Sequence, residues 1–381
     1  MKIFLLCTAN LLAFMLTAQV AAQSAIHNPQ SAVSVPLGLP APLPVPDNNP
    51  LTPEKVTLGR RLFFDRRLSP NDTMSCAMCH VPAQGFTVNE LRLAVGINGK
   101  TTKRNPPTLY NVAYQRLLFH DGREFTLEDQ VISPLTNPGE MGNPSIGYVV
   151  DKVRRLPGYA EQFRQTFGAE VGVATLGKAL ASYERTLLSA NSPFDRWYFA
   201  GDAAVVSDEV KAGFKIFTGK GQCFTCHTVN KDAALFTDQG FHNTGAAQLH
   251  IIPEKTVEVD LGGGLRVQLP RAQVDEILTP PGKDLGRYEV TLDPTDLWRY
   301  KTPSLRNVAL TAPYMHNGAL LTLAEVIEYY DRGGTGSEGQ DPRVSPLHLT
   351  PEEKRALLAL LRSLTGDNVD ALARQGPDGA E

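Results

Sequence analysis

Two short segments of this chain share one pattern: two cysteines separated by two residues, with a histidine directly after the second cysteine. They are Cys76-Ala77-Met78-Cys79-His80 and Cys223-Phe224-Thr225-Cys226-His227. This spacing is the attachment pattern of haem c, in which both sulfurs bond the haem edge and the histidine ligates the iron. The two motifs therefore predict two covalently attached haem c groups, and the chain must fold around both of them.

The cysteine count argues against other uses of these thiols. The chain has five cysteines, and the fifth, Cys7, lies in the apolar N-terminal segment. No further thiol remains for a disulfide framework or for a tetrahedral zinc site with sulfur ligands. A redox-active cysteine pair needs no histidine directly after it, yet histidine follows both pairs.

The first 22 residues have the pattern of a secretory signal peptide. Lys2 provides a positive charge, residues 3–16 are mostly apolar, and Val20-Ala21-Ala22 is a small-residue cleavage site. A retained membrane anchor is the alternative, but the apolar run is short and broken by polar residues. We therefore expect a periplasmic protein without a membrane span after processing.

Charge gives no sign of a polyanionic partner. The formal net charge is −3, and the 37 lysines and arginines are spread along the sequence. This distribution argues against binding to nucleic acid or to an anionic membrane surface.

A chain of 381 residues suffices for two compact domains, and each haem motif falls in one of them. We expect a signal peptide, a Pro-rich linker or surface strap, an N-terminal haem domain, a C-terminal haem domain and a frayed tail. Their ranges are 1–22, 23–50, 51–192, 193–365 and 366–381.

Periodicity predicts a mainly α fold. Helical spacing and capping signals occur at residues 173–188, 207–217, 322–331 and 350–364. Between residues 245 and 298, two alternating segments flank three glycines and predict an inserted β-ribbon. The predicted fold is therefore two cytochrome-c-like haem domains with a small inserted β-ribbon.

The sixth position of each iron decides between electron transfer and catalysis, because only an open iron binds peroxide. Spacing alone does not choose among the other histidines, methionines and tyrosines. The candidates are His27, His120, His242, His250, His316, His348, Met141, Met315 and the tyrosines.

Tyr330 stands out among these candidates by helical position. It lies on the same face of its predicted helix as Leu323 and Ile327, whereas Tyr329 points elsewhere. A core tyrosine is the alternative interpretation of that position. As a ligand, tyrosinate would stabilise high oxidation states of the iron.

Longer motifs resemble the bacterial di-haem cytochrome c peroxidase superfamily, and within it the MauG branch. The resemblance covers about residues 51–365. Its motifs are Cys76-x-x-Cys-His-x-Pro, Arg104-Asn-Pro-Pro-Thr-Leu-Tyr-Asn-Val, Phe119-His-Asp-Gly-Arg, Leu127-Glu-Asp-Gln, Asn137-Pro-Gly-Glu-Met, the second Cys-x-x-Cys-His, and Tyr300-Lys-Thr-Pro-Ser-Leu-Arg-Asn-Val-Ala-Leu-Thr-Ala-Pro-Tyr-Met-His-Asn-Gly.

The resemblance implies that haem 1, on His80, is the peroxide site. Ordinary peroxidases of this family carry a histidine that closes haem 1 at rest, and the matching stretch 94–100 has none. Haem 1 is then permanently open, as in MauG. Gln130, Pro134 and Glu140 match the distal pocket, where Glu140 would be the acid–base group.

For haem 2 the resemblance implies His227 with Tyr330, which stands where the peroxidases have a methionine and MauG a tyrosine. A calcium ion between the haem domains matches the Asn105 side chain and the carbonyls of Thr311 and Pro313, an oxygen set that suits a hard cation.

Two positions depart from the family. His120 replaces the tryptophan between the haems, which makes it a candidate cofactor contact and leaves the electron route between haems open. Gly221 stands where MauG has a surface tryptophan that oxidises its protein substrate. This second departure argues against the same substrate reaction.

Together these features predict a periplasmic di-haem c-type peroxidase. It would reduce hydrogen peroxide at haem 1 and store oxidising equivalents on the His/Tyr-ligated haem 2. Its expected partners are hydrogen peroxide and a small electron-donor protein, either a c-type cytochrome or a copper protein. The alternatives are MauG-like oxidative modification of a partner protein and a non-catalytic electron-transfer cytochrome.

Overall fold

The computed structural model describes residues 33–249, 256–260, 266–270, 284–377 and 379–380. The predicted signal peptide lies outside these residues. The α-helices are α1 Pro53–Phe64, α2 Cys76–Cys79, α3 Leu127–Gln130, α4 Ser133–Thr136, α5 Ile146–Arg155, α6 Tyr159–Phe167, α7 Val173–Glu184, α8 Pro193–Tyr198, α9 Asp208–Thr218, α10 Tyr288–Thr291, α11 Leu323–Asp331, α12 Pro351–Arg362 and α13 Val369–Ala373.

Short elements complete the described fold. The 3₁₀ helices are Arg66–Leu68, Pro82–Gln84, Ile97–Gly99, Val112–Tyr114, Cys223–Thr225, Ala246–Gln248, Pro294–Asp296 and Val308–Leu310. The strands are β1 Phe241–His242, β2 Thr256–Asp260, β3 Arg266–Pro270, β4 Tyr300–Lys301, β5 Gln375–Gly376 and β6 Gly379–Ala380. They pair antiparallel as β1–β4, β2–β3 and β5–β6. A mainly helical fold with little sheet agrees with the sequence-based prediction.

In the N-terminal unit, residues 53–187, helix α1 packs along α7. Gly59 lies directly against the Ala179 carbonyl, where a Cβ would overlap the backbone, so glycine allows the two helices to approach closely. Leu62, Phe63 and Leu180 fill the core beside this contact.

The C-terminal unit, residues 194–364, repeats this arrangement. Helix α9 packs along α12, and Gly213 lies against the Ala356 carbonyl in the same way. The predicted capping boxes are present: Thr322 pairs with Glu325 at the start of α11, and Thr350 with Glu353 at the start of α12. In each unit a helix that precedes the Cys-x-x-Cys-His motif is thus fixed against a later helix.

The described part of the Pro-rich segment contributes to a core, which the prediction of a linker or surface strap had excluded. Leu39, Leu43 and Leu51 are buried in a hydrophobic cluster with side chains from both units. The Gly38 carbonyl accepts hydrogen bonds from the Arg306 guanidinium at 2.6 Å and the Ala234 amide at 2.9 Å. We call residues 33–51 the N-terminal strap.

The tail is also more ordered than the prediction of a frayed end. Leu372 in α13 is buried in the N-terminal core. Tyr183 donates a hydrogen bond to Gln375 at 2.7 Å, and Asn368 donates one to the Leu188 carbonyl at 2.8 Å. Residues 368–375 therefore pack against the N-terminal unit and are part of its fold.

The inserted β-ribbon is confirmed. Strands β2 and β3 pair in register from Thr256 opposite Pro270 to Asp260 opposite Arg266. A second antiparallel pair, β1 with β4, aligns Phe241 with Lys301 and His242 with Tyr300. Among the described helices, none has the length and apolar character needed to cross a membrane.

Candidate haem sites

Site 1 consists of Cys76, Cys79 and His80. The two cysteines occupy the single turn of α2, and the His80 amide donates to the Cys76 carbonyl at 2.9 Å. The His80 Nδ1 atom lies 3.0 Å from the carbonyl oxygen of Phe86. Burial lowers the pKa of His80, so the ring is neutral and Nδ1 donates its proton to Phe86. The other ring nitrogen, Nε2, can then bind a metal.

Site 2 repeats this geometry in the C-terminal unit. The His227 amide donates to the Cys223 carbonyl at 2.9 Å, and Nδ1 lies 2.8 Å from the carbonyl of Phe236. Burial also lowers the pKa of His227. Both sites therefore present two thiols on one turn and a neutral histidine, which fits covalent haem attachment with proximal ligation.

Sequence reasoning did not find the two carbonyl acceptors. Phe86 and Phe236 are both wholly buried and both have positive φ, 54° and 52°. This left-handed backbone is uncommon for a bulky residue and turns the carbonyl toward the histidine ring. Phe86 follows its histidine by six residues and Phe236 by nine, so no shared spacing points to them.

Cys226 also lies near two other potential metal ligands. Its sulfur, an Asp238 carboxylate oxygen and a His242 ring nitrogen all lie within 4.8 Å of one another. His242 is already engaged by Asp238 at 2.8 Å and Asp341 at 3.1 Å. A thioether at Cys226 leaves no thiolate for a separate metal, so this cluster belongs to the surroundings of site 2.

Glu140 faces site 1. Its carboxylate interacts electrostatically with both Cys76 and Cys79. Burial raises the pKa of Glu140 above its ordinary value, although Arg123 and a 2.7 Å hydrogen bond from Asn137 to Oε1 oppose that rise. The result is a carboxyl group that can exchange a proton closer to neutral pH than an exposed glutamate.

The residues around Glu140 belong to one local structure. Pro134, in α4, accepts a hydrogen bond from the Met141 amide at 3.2 Å. Gln130 is partly buried at the end of α3, just before α4. The stretch 94–100 meets the Glu140 turn directly, since the Ile97 amide donates to the Glu140 carbonyl at 2.7 Å. The segment without a histidine therefore lies beside the candidate acid–base residue.

A second buried carboxyl group near site 1 was missed from the sequence. Glu184, at the end of α7, interacts with Cys76, and burial raises its pKa to about 8. Its Oε2 atom has no hydrogen-bond partner within the described structure. The helical pattern places Glu184 on a buried face, but pattern alone gives no reason to expect a buried acid there.

The tyrosine pair of α11 requires a correction. Tyr329, expected to point elsewhere, is wholly buried and donates to the Thr244 carbonyl at 2.7 Å. Tyr330 is partly exposed as a residue, but burial of its hydroxyl raises its pKa, and the neighbouring Tyr329, Cys226 and Cys223 add to the rise. Helix α11 is thus covered on two sides, whereas the sequence pattern predicted a single buried face. Of the two tyrosines, Tyr330 is the one near site 2.

Comparison with known proteins finds related sequences over most of this chain. The sequence model of a family described as di-haem cytochrome c peroxidase matches residues 53–204. The methylamine utilization protein MauG of Methylorubrum extorquens is 37% identical over 330 residues, 86% of this chain and 83% of that protein. Cytochrome-c peroxidase IdrP1 of Denitromonas iodatirespirans is 36% identical, over 87% of this chain and 86% of that protein. The chain belongs to the di-haem cytochrome c peroxidase family.

Solved structures of di-haem peroxidases share the fold. A MauG-like protein associated with microbial copper homeostasis matches with a TM-score of 0.74 and 29% identity, over 91% of this chain and 98% of that one. The diheme peroxidase BthA of Burkholderia thailandensis matches with a TM-score of 0.68 and 26% identity, over 87% and 90%. The family is one of di-haem oxidoreductases, which accounts for both Cys-x-x-Cys-His motifs.

Between the two units of this di-haem peroxidase lies a buried polar cluster. The Tyr300 and His316 rings stack with centroids 3.6 Å apart and planes inclined by 12°. Arg104 pairs with Asp121 at 2.6 Å and with Asp284 at 2.7 Å. The sequence motifs contain all of these residues except Asp284. The pair of Arg104 with Asp284 joins positions 180 residues apart in the chain and could not be derived from spacing.

His120, the residue in place of the family tryptophan, lies in this cluster. Its Nε2 atom is 2.9 Å from the backbone carbonyl of Asn105, and the backbone amide of Asn105 donates to the His316 carbonyl at 2.7 Å. Burial, reinforced by Arg104, lowers the pKa of His120 to about 4, and burial lowers that of His316 to about 3. Both rings are therefore neutral at pH 7.

The residues matched to a calcium site lie on segments that meet here. The Asn105 side-chain amide donates to the Arg92 carbonyl at 2.9 Å, which leaves its Oδ1 atom for a cation. Thr311 and Pro313 lie in the segment that leads to His316, and the peptide bond between Ala312 and Pro313 is cis.

Proposed function

We propose that this family member is a periplasmic di-haem peroxidase that reduces hydrogen peroxide at site 1 and stores oxidising equivalents at site 2. When bound, haem supplies the redox chemistry needed to cleave the O–O bond. The observation that carries the proposal is the partly buried Glu140, whose pKa is raised by burial, beside Cys76 and Cys79. A cytochrome that only transfers electrons has no use for such a group.

Glu140 would move the proton that makes the distal oxygen of peroxide a leaving group. Asn137 fixes Oε1 through a 2.7 Å hydrogen bond, so the proton can be exchanged at Oε2. Gln130 and Pro134, on the adjoining helical turns, would border the space where peroxide binds. The stretch 94–100 beside them contains no histidine to close this position.

Tyr330 is the protein ligand best supported at site 2, because most alternatives are engaged elsewhere. His242 is bound to two aspartates, His316 is stacked on Tyr300, and Met141 is buried in the N-terminal core. His27 and His250 lie outside the described residues. A tyrosinate ligand would favour higher oxidation states at site 2.

The physiological reductant would be a small c-type cytochrome or copper protein. A calcium ion bound by Asn105, Thr311 and Pro313 would hold the two units together.

Oxidative modification of a partner protein is the second candidate function, favoured by the 37% identity to MauG. The N-terminal pattern of a signal peptide supports export to the periplasm.

The proposal is tested by titrating the purified two-haem protein with cyanide and with hydrogen peroxide, monitored by absorption and EPR spectroscopy. We expect one high-spin haem that binds cyanide and reacts with peroxide, and one low-spin haem that binds no cyanide. Two low-spin haems that both fail to bind cyanide would indicate a non-catalytic electron-transfer cytochrome instead.

A further inference from the structure

We propose that a chain of aromatic side chains connects site 2 to the protein surface and that electrons enter through Trp197 and Tyr198. This inference rests on the proposed function, because peroxide must oxidise the haem centres first. The chain begins at Phe236, whose carbonyl accepts the His227 hydrogen bond at 2.8 Å. Its ring lies 5.2 Å from that of Phe194, centroid to centroid.

Phe194 is the buried centre of this group, which we call the aromatic chain. Its ring is 5.3 Å from Tyr198 in a stacked arrangement, and 5.7 Å from Trp197 edge to face. Phe214 closes the group, with centroid distances of 5.1 Å to Tyr198 and 5.7 Å to Trp197. Such contacts leave no gap across which an electron must pass through solvent or empty space.

The same cluster contacts the haem attachment site. Cys223, the first cysteine of site 2, packs against the hydrophobic core that contains Phe194, Phe217 and Phe236. The aromatic chain therefore reaches site 2 at Phe236, the residue that orients His227, within the same core against which Cys223 packs.

Only the outer end of the chain can be oxidised readily. Phenylalanine holds its electrons too tightly to act as a redox centre, whereas tryptophan and tyrosine can lose one. Tyr198 is 40% exposed and Trp197 is partly exposed. The phenol can therefore release its proton to water as the electron leaves, which an enclosed tyrosine cannot do.

The step balances with peroxide as the oxidant. Either Tyr198 gives one electron toward site 2 and its phenolic proton to solvent, or Trp197 gives one electron. An external one-electron donor at this surface then returns the electron, and solvent returns the proton to Tyr198. Two such electron transfers, together with two protons taken up at site 1, reduce one hydrogen peroxide molecule to two water molecules.

The test is EPR spectroscopy of the two-haem protein, frozen shortly after peroxide is added without a donor. In wild type we expect an organic radical whose line shape changes when ring-deuterated tyrosine or tryptophan is incorporated. The double variant Trp197→Phe with Tyr198→Phe should lose this signal, and each single variant should shift it to the remaining residue. Phenylalanine preserves the ring packing, and an unchanged resting haem spectrum checks the fold.

Matched controls are available within the chain. Trp298 is the only other tryptophan, and it makes no aromatic ring contact within the described residues. Tyr148 is 36% exposed on the N-terminal unit. Trp298→Phe and Tyr148→Phe should leave the radical unchanged.

The outcomes separate this inference from the proposed function. If peroxide leaves the haem spectrum of wild type unchanged, the proposed peroxidase activity is wrong and the electron path with it. If the haem spectrum responds but the double variant keeps the wild-type radical, or wild type forms none, only the electron path is wrong.

Discussion

The two haem sites share their local design and differ in what surrounds it. In both, a histidine donates to the carbonyl of a buried phenylalanine with positive φ. From Phe86 at site 1, ring contacts lead to Tyr110 and to Phe63, and from Phe63 to Tyr183. These tyrosines are only 4% and 1% exposed. From Phe236 at site 2, the contacts lead to Tyr198 at the surface.

The titratable groups also differ. Site 1 has two carboxyl groups of raised pKa nearby, Glu140 and Glu184, whereas the Asp238 carboxylate beside site 2 is paired with His242 and has a lowered pKa. The aromatic rings of site 1 end inside the protein, whereas the aromatic chain of site 2 reaches solvent. In the proposed function, one attachment motif would serve two tasks: site 1 would handle a small molecule and its protons, and site 2 would exchange electrons with an external donor.

The largest expected effect concerns the support behind Phe236. Arg306 is buried, lies 5.6 Å from the Phe236 ring centroid, and pairs with Asp195 at 2.9 Å. Arg306→Met leaves Asp195 buried without its partner and releases the Gly38 carbonyl of the N-terminal strap. The free energy of unfolding should fall by about 3–5 kcal/mol in a denaturant titration.

Arg355→Met is the matched control for this prediction. Arg355 also pairs with a carboxylate, that of Glu352, at 3.1 Å, but both side chains are exposed. Because exposed ion pairs contribute about 0–1 kcal/mol, this variant should change stability little. Equal losses in the two variants would contradict a special role for the buried pair behind site 2.

At site 1, Glu140→Gln should slow the reaction with peroxide by a factor of about one hundred or more, the scale of losing a general acid–base group. Both haems should stay attached, since Glu140 belongs to neither Cys-x-x-Cys-His motif. Stopped-flow absorption after mixing with peroxide gives the rate. Glu184→Gln is the matched control, because Glu184 is another carboxyl of raised pKa beside Cys76, and this variant should react at a rate close to that of wild type.

The pH profile provides a second check of Glu140. Burial raises its pKa above the ordinary 4.5, and the deprotonated form is the one that accepts a proton from peroxide. The wild-type rate should therefore rise with pH through a midpoint above 4.5, and Glu140→Gln should remove that step. If Glu140→Gln and Glu184→Gln react with peroxide at the same rate, and both keep the pH profile of wild type, Glu140 has only a structural role.

At site 2, Tyr330→Phe should abolish the low-spin signal, because the phenyl ring has no oxygen to donate to iron. Tyr330→Met should instead keep a ligand and raise the reduction potential. EPR spectroscopy and potentiometric titration measure the two effects. Tyr329→Phe, which loses only the hydrogen bond to Thr244, should leave both unchanged.

An unaltered low-spin signal in Tyr330→Phe would show that Tyr330 is not a ligand of the haem iron. The ligand would then be another residue, such as Met315 or His316. This result would also weaken the contrast between the sites, because it rests in part on a tyrosinate at site 2.

How far the sequence predicts this molecule depends on the range of the interactions. Local rules located both attachment turns, the capping boxes at Thr322 and Thr350, and the ribbon of β2 and β3. Each of these depends on residues a few positions apart, where periodicity and hydrogen-bond chemistry decide.

Long-range contacts account for what was missed. The N-terminal strap is fixed by Arg306, 268 residues from Gly38 in the sequence, and α13 by contacts to a core it reaches only in the folded chain. Tyr329 is buried because a loop covers a helix face that looks polar in isolation. No local pattern contains this information. The carbonyls of Phe86 and Phe236 are close to their histidines in the sequence, but at different spacings, so they too became visible only in the structure.

The smallest expected effect compares two equivalent helix starts. Thr52 caps α1 with a single side-chain hydrogen bond, from the Lys55 amide at 3.4 Å, and a lysine cannot return a bond to the cap. Thr350 caps α12 at 3.2 Å, and Glu353 also accepts the Thr350 amide at 2.8 Å. In Thr350→Ala this second bond remains, because its donor is the backbone amide of residue 350 and not the threonine side chain.

Thr52→Ala should therefore destabilise the protein by about 1 kcal/mol, the usual loss for an N-cap threonine. Thr350→Ala should cost less, and Thr350→Ala with Glu353→Ala should cost at least as much as Thr52→Ala. Denaturant titrations of the two-haem protein measure these differences. A larger loss in Thr350→Ala than in Thr52→Ala would show that the capping box is not what distinguishes the otherwise matched helices α1 and α12.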